Sequence, residues 1–195
     1  MENFVCKVAN REELIKRWEY LVKIHPENSK WVEFRENALK HYDEKSTISY
    51  LGFLGDKIIC EATAYVKESA FIGDINDSSG LLSDKMAYLA AFRTNKEYEG
   101  QGYFSKLYKF VENDLKKRGY TELSVGVEPG ETRNVQIYLH LGFVEHIKTI
   151  VERDNLKQGE EVIDFYKKKI WCVGEKLWKI ILKMMSIGKS MLIKI

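Results

Sequence analysis

Hydrophobic positions along the chain switch repeatedly between a helical and an extended period. Residues 3–8 read as a short strand. Asn10 then predicts a helix N-cap, because Glu13 three residues on completes a capping box. Leu14, Trp18, Leu21 and Val22 follow at helical spacing, and a second helix is expected after Pro26 and Asn28, with Trp31, Phe34, Leu39 and Tyr42 as its apolar positions. Residues 46–54 and 57–67 are rich in β-formers and meet at Gly55-Asp56, which predicts a hairpin. Residues 69–83 are polar and dense in Gly, Asp, Asn and Ser, so they read as a solvated loop with the length of an acceptor-site flap.

A strand over 85–94 comes next, then a charged turn and Gly100-Gln101-Gly102. From residue 103 to 118 the apolar positions Phe104, Leu107, Tyr108, Val111 and Leu115 recur every three or four residues, and Gly119 is a ready C-terminal stop. Leu123, Val125 and Val127 alternate along another strand, which Glu128-Pro129-Gly130 ends. A short helix over 132–141 and strands over 143–151 and 162–169 complete the pattern. The order β α α β β β α β α β β predicts an α+β domain over 1–173, with a mixed, mostly antiparallel central sheet flanked by helices.

Residues 174–195 fall outside that pattern. On a helical wheel Lys176, Lys179, Lys183 and Lys194 share one side, and Leu177, Trp178, Ile180, Ile181, Leu182, Met184, Met185 and Ile187 cover most of the rest. This predicts a basic amphipathic C-terminal helix. An apolar arc so wide needs a cover, and three remain open: this domain, a second subunit in a homodimer, or weak contact with an anionic membrane surface.

Composition narrows the function classes. With 195 residues, 45% of them hydrophobic, and only 2 prolines, the chain can build one large core. The formal charge is +2, yet residues 174–195 hold five lysines against one glutamate, so the rest is slightly acidic and offers no basic face for nucleic acid. Cys6, Cys60 and Cys172 are odd in number and far apart, and the four histidines form no ligand cluster with them. Neither a disulfide framework nor a metal site is expected. No leader-like or bilayer-long apolar run is seen, which points to a cytoplasmic protein.

The chemistry concentrates at residues 96–107. A glycine-rich turn lets backbone approach a ligand, and the helix behind it presents unpaired N–H groups at the positive end of its dipole. The amides of Gln101, Gly102, Tyr103, Phe104 and Ser105 would therefore favour a phosphate. The spacing fits neither a dinucleotide fingerprint nor a Walker loop.

This run, Lys96-Glu97-Tyr98-Glu99-Gly100-Gln101-Gly102-Tyr103-Phe104-Ser105-Lys106-Leu107, resembles the acetyl-CoA loop of Gcn5-related N-acetyltransferases (GNAT). Downstream, Asn134, Tyr138 and Gly142-Phe143 resemble that family's second signature, a Tyr four residues before a Gly-Phe pair. Aligned on Gly102, Glu99 stands where the family has Arg or Gln and Phe104 where it has Gly or Ala, while Glu131 replaces the family's usual Asn.

The resemblance implies direct, metal-free transfer of acetyl from acetyl-CoA, as co-substrate, to an amine of a small molecule or peptide. It implies that the backbone of Phe92, Arg93 and Thr94 pairs with the pantetheine arm as an added strand. It further places Glu99, Gly100, Gln101, Gly102, Tyr103, Phe104, Ser105 and Asn134 around the cofactor, and makes Tyr138 the acid that protonates the departing thiolate. For the base, Glu128 lies at a strand end near the expected splay, and Glu61 shares a strand face with Thr63 and Tyr65. His140 and His146 read as surface residues and Cys60 as a buried, inert thiol. Trp31, Phe34 and Tyr42 suit either the core or the walls of an acceptor site. A second reading, a non-catalytic acyl-CoA-binding or sensing module placed at a membrane or dimer interface by its tail, draws on Glu99, Phe104 and the lack of an obvious base.

Overall fold

The structure, a computed structural model, describes residues 3–71, 75, 77–153 and 160–170. The boundary expected at 173 and the helix expected over 174–195 lie outside the described residues.

Strand β1 (Phe4–Val8) leads into helix α1 (Arg11–Ile24), whose start is fixed as the pattern predicts. Glu13 N–H donates to Asn10 Oδ1 at 2.9 Å, and Asn10 N–H donates to Glu13 Oε2 at 3.1 Å. Helix α2 (Lys30–Asp43) folds back on α1, packing Trp31, Phe34, Leu39 and Tyr42 against Leu14, Trp18 and Leu21. The hairpin of β2 (Thr47–Leu54) and β3 (Lys57–Tyr65) turns at Gly55, whose φ of 56° is the left-handed conformation such a turn needs.

The remaining elements are β4 (Met86–Thr94), α3 (Tyr103–Lys117), β5 (Glu122–Val127), α4 (Thr132–His140), β6 (Glu145–Arg153) and β7 (Glu160–Lys169). The strands form one seven-stranded sheet in the order β1-β2-β3-β4-β5-β7-β6. All neighbours pair antiparallel except β4 and β5, which run parallel because α3 carries the chain back between them.

Each sheet face has its own core. Helix α3 buries Leu107, Tyr108, Val111 and Leu115 against Ile59, Cys60, Ala62, Leu89, Leu123 and Val125. Each such side chain stabilises the fold by about 1.5–3 kcal/mol. Side chains that alternate with these point the other way: Tyr88 and Phe165 pack with Phe71 and Leu81, and α1 and α2 cover the sheet beside them.

Two stretches differ from the sequence expectation. Residues 69–83 are not merely solvated, because Phe71 and Leu81 from that stretch are buried and the Ser124 hydroxyl donates to the Leu81 carbonyl at 2.5 Å. Two apolar anchors hidden in a polar run carry no periodic signal. Strand β6 begins at Glu145 rather than at 143, since Phe143 is used to close α4: its amide donates to the Tyr138 carbonyl at 3.0 Å and its ring is fully buried.

Candidate active site

The site starts from an irregularity in β4. Glu61 of β3 pairs with Arg93, but Thr63 pairs with Ala90, so β4 carries one extra residue between them. Ala91 sits in this bulge with φ 53°, a left-handed conformation that an alanine holds only under constraint from its surroundings. Pairing with β5 ends nearby, at Leu89 and Val125. Beyond that point β4 and β5 no longer pair, and a gap opens between them. Asn95 N–H donates across to the Ile59 carbonyl at 2.8 Å, so by strand alternation Arg93 also bonds toward β3. Phe92 and Thr94 then aim their amides and carbonyls into the gap.

The gap continues into a groove of about 600 Å³. Phe92, Thr94, Tyr98, Phe104, Ile137 and Tyr138 line it, together with Glu99, Gly100, Gly102, Tyr103, Ser105, Arg133 and Asn134. At one end Gly100 and Gly102 take φ of 73° and 81°. The first hydrogen bond within α3 runs from Lys106 N–H to the Gly102 carbonyl, so the amides of Tyr103, Phe104 and Ser105 precede the helical ladder. No side chain caps this end and no acid occupies its first turn. The donors are therefore directed at the groove, which fits a phosphate group. Glu99 is held 3.7 Å from Arg133 Nη1 of α4, which offsets its charge beside that site. Arg133 was not foreseen from the sequence, because its place across the groove depends on how α4 packs. The Gln101 side chain instead donates to the Glu97 carbonyl at 2.9 Å, and Asn134 donates to Glu131 Oε2 at 2.5 Å.

Tyr138 projects from α4 into the same groove and meets the Phe143 ring edge-on at 6.0 Å. Burial pushes its phenol up to about 12, with the charge of Glu131 adding to the effect. It is thus a neutral O–H donor at any ordinary pH.

The two carboxylates expected near the chemistry fare differently. Glu61 lies on the sheet face opposite the groove, nearly solvent-free, with Oε2 3.2 Å from Arg17 Nε and Oε1 2.9 Å from Arg93 Nη1. The Arg17 Nε contact satisfies an ion pair but not hydrogen-bond geometry, so its attraction is mainly electrostatic. Both of its oxygens are thus engaged by guanidiniums, on the face away from the groove. Glu128 follows β5 directly and is half-buried, but it does not line the groove. The Arg93 side chain likewise leaves the groove for the α1 and α2 face, while its backbone stays in the β4 edge. Trp31, Phe34 and Tyr42 pack between α1 and α2 and line no part of the groove. His140 is exposed at the groove rim. Among the described residues no group of three or more His, Cys, Asp or Glu could hold a metal, and no helix is long and apolar enough to cross a membrane.

The sequence profile of the Acetyltransferase (GNAT) family matches residues 11–143. Among solved structures, the ribosomal-protein-S18-alanine N-acetyltransferase from Escherichia coli is similar at 16% identity, with a TM-score of 0.63 over 89% of this chain and 97% of that one. A Brucella melitensis ribosomal-protein-alanine N-acetyltransferase is similar at 13% identity and a TM-score of 0.63, over 85% and 99%. A Salmonella typhimurium structure assigned as an acetyltransferase, with its cofactor acetyl-CoA, is similar at 14% identity and a TM-score of 0.62, over 87% and 95%. At these identities the likeness speaks for the fold. No curated protein matches the sequence significantly.

Proposed function

The chain belongs to the acetyltransferase (GNAT) family, and on that premise we propose that it transfers the acetyl group of acetyl-CoA to an amine of a small molecule or a peptide. The observation that carries this reading is the single groove that joins the open α3 N-terminus, the unpaired edge of β4 and the Tyr138 phenol. These three features suit the three parts of the cofactor. The pyrophosphate takes the amides of residues 103–105 and the neighbouring glycines. The pantetheine arm pairs with Phe92 and Thr94 as an added strand. The thioester carbonyl then accepts from the Phe92 amide beside the bulge, which stabilises the negative charge that develops on its oxygen.

The acceptor nitrogen attacks the thioester carbon; the C–N bond forms, and the C–S bond breaks. Tyr138 gives its proton to the departing sulfur and recovers one from solvent. The proton lost by the amine passes to Glu128, directly or through water. Glu128 is assigned this part because Glu61, the other candidate carboxylate, is locked between two arginines.

The test is calorimetry of acetyl-CoA binding together with thiol release across a panel of amines. Micromolar binding with thiol release for at least one amine is expected. Absence of binding would sink the proposal. Binding without thiol release from any amine would instead favour a non-catalytic acyl-CoA sensor.

A further inference from the structure

A cluster of charge on the far side of β4 is not accounted for by cofactor binding. Arg17 of α1 is 1% exposed and directed wholly into the protein: Nη1 donates to Asn95 Oδ1 at 2.7 Å, and Nη2 and Nε lie 3.5 and 3.2 Å from the Glu61 carboxylate. That pair alone neutralises Glu61 and ties α1 to β3. Arg93 nevertheless brings a second guanidinium to the same carboxylate, with Nη1 2.9 Å from Oε1. The cluster therefore carries two positive charges against one negative charge, and the surplus sits on Arg93. A residue that served only to hold Glu61 could be a neutral donor, because an uncompensated charge in a half-buried place costs free energy.

The surplus guanidinium is also held ready. Its centre lies 5.7 Å from the Trp18 ring and 5.3 Å from the Trp31 ring, and Trp31 is itself stacked on His25 at 4.1 Å. Its side chain is 34% exposed, and Nε and Nη2 have no protein acceptor among the described residues. Little side-chain freedom remains to be lost when a ligand binds. The position matters as well. Phe92 and Thr94, on either side of Arg93, line the cofactor groove on one face, whereas Arg93 reaches the other face at the stretch where β4 has parted from β5.

We infer that Arg93 anchors a carboxylate carried by the acceptor, which lies on the α1 and α2 face with its amine directed through the β4–β5 gap toward the thioester. This rests on the acetyltransferase reading and names its substrate class: amines that also bear a carboxylate, either free amino acids or peptides acidic near their N-terminus. A guanidinium that presents its Nε and Nη2 donors along one edge suits such a planar anion.

Steady-state kinetics with matched acceptors tests this, using ω-amino acids from glycine to 6-aminohexanoate against their carboxamides, and Asp-containing peptides against their Asn counterparts. The two sets separate the free acid from the peptide source. Wild-type kcat/KM should favour the acid member of at least one set by tenfold or more. Arg93→Gln should remove that preference by raising the acceptor KM, leaving the acetyl-CoA KM and the carboxamide kinetics within about twofold. Arg93→Lys should keep part of the preference. No preference in the wild type, or a preference retained in Arg93→Gln, would overturn the inference.

A readout without turnover keeps this apart from the acetyltransferase reading. Trp18 and Trp31 flank the guanidinium, so titrating the same acids should give a saturable change in tryptophan fluorescence that Arg93→Gln lacks. The carboxylate site fails if no acid gives that change, whether or not acetyl-CoA binds. The acetyltransferase reading fails if acetyl-CoA does not bind, whatever the acids do.

Discussion

Arg17 and Glu61 form an ion pair almost without solvent, 3.2 Å from Nε to Oε2, with side chains 1% and 6% exposed. A buried pair of this kind resists the loss of one member asymmetrically. Glu61→Ala should destabilise the fold by about 3–5 kcal/mol, because it leaves two guanidiniums facing each other without a counter-charge. Arg17→Met should cost clearly less, since Arg93 still neutralises Glu61 at 2.9 Å. Urea unfolding of both variants checks the order, and equal losses would contradict it.

Tyr138→Phe should lower kcat by about 10²–10⁴-fold, the range of general-acid contributions, with acetyl-CoA affinity nearly unchanged. Since burial lifts this phenol from 10 to about 12, its own ionisation should not appear in the pH–rate profile below about pH 10. The same shift has a sign for stability. The folded state holds the proton more tightly than the unfolded chain, so the contribution is complete below pH 10 and is lost as pH rises through about 12. Absorbance titration of tyrosinate, compared between wild type and Tyr138→Phe, follows it directly.

Gly102 has φ 81° and nothing within 4 Å of where a side chain would begin. Its intolerance is thus conformational rather than steric. Gly102→Val should strain the loop by about 1–2 kcal/mol or force it out of the left-handed region. Acetyl-CoA affinity measured by calorimetry should fall about tenfold or more, while the melting temperature moves little.

Of the cysteines, the two among the described residues, Cys6 and Cys60, should be silent. Burial raises Cys60 to about 12 and Cys6 to about 11, so at pH 8 only about one part in a thousand or less of either is thiolate. Reaction with an aromatic disulfide reagent, mapped by mass spectrometry, should leave both unmodified in the folded protein and modify both after denaturation. Rapid labelling of Cys60 in the native state would contradict its buried place under α3.

What could be seen in the sequence depended on range. The capping box at Asn10 and Glu13, the turn at Gly55, the amphipathic stripe of α3 and the short helix before Gly142-Phe143 are local signals, and each falls where the pattern predicts. Glu61 looked free because its partners lie 44 and 32 residues away in the chain. Arg133 escaped notice for the same reason, and Phe71 and Leu81 because two anchors in a polar loop make no period. The bulge at Ala91 depends on register between strands, which a single sequence does not display.

The parting of β4 from β5 leaves a second mark on the molecule. Past Leu89, alternate amides of β4 have unlike fates: those of Arg93 and Asn95 face β3, while those of Phe92 and Thr94 face the gap. In hydrogen–deuterium exchange one strand should therefore show a fast and a slow set of neighbours. A ligand that completes the sheet should slow Phe92 and Thr94 and leave Arg93 as it was. Four consecutive amides thus provide a probe of occupancy and its own internal control, without any label or any knowledge of the acceptor.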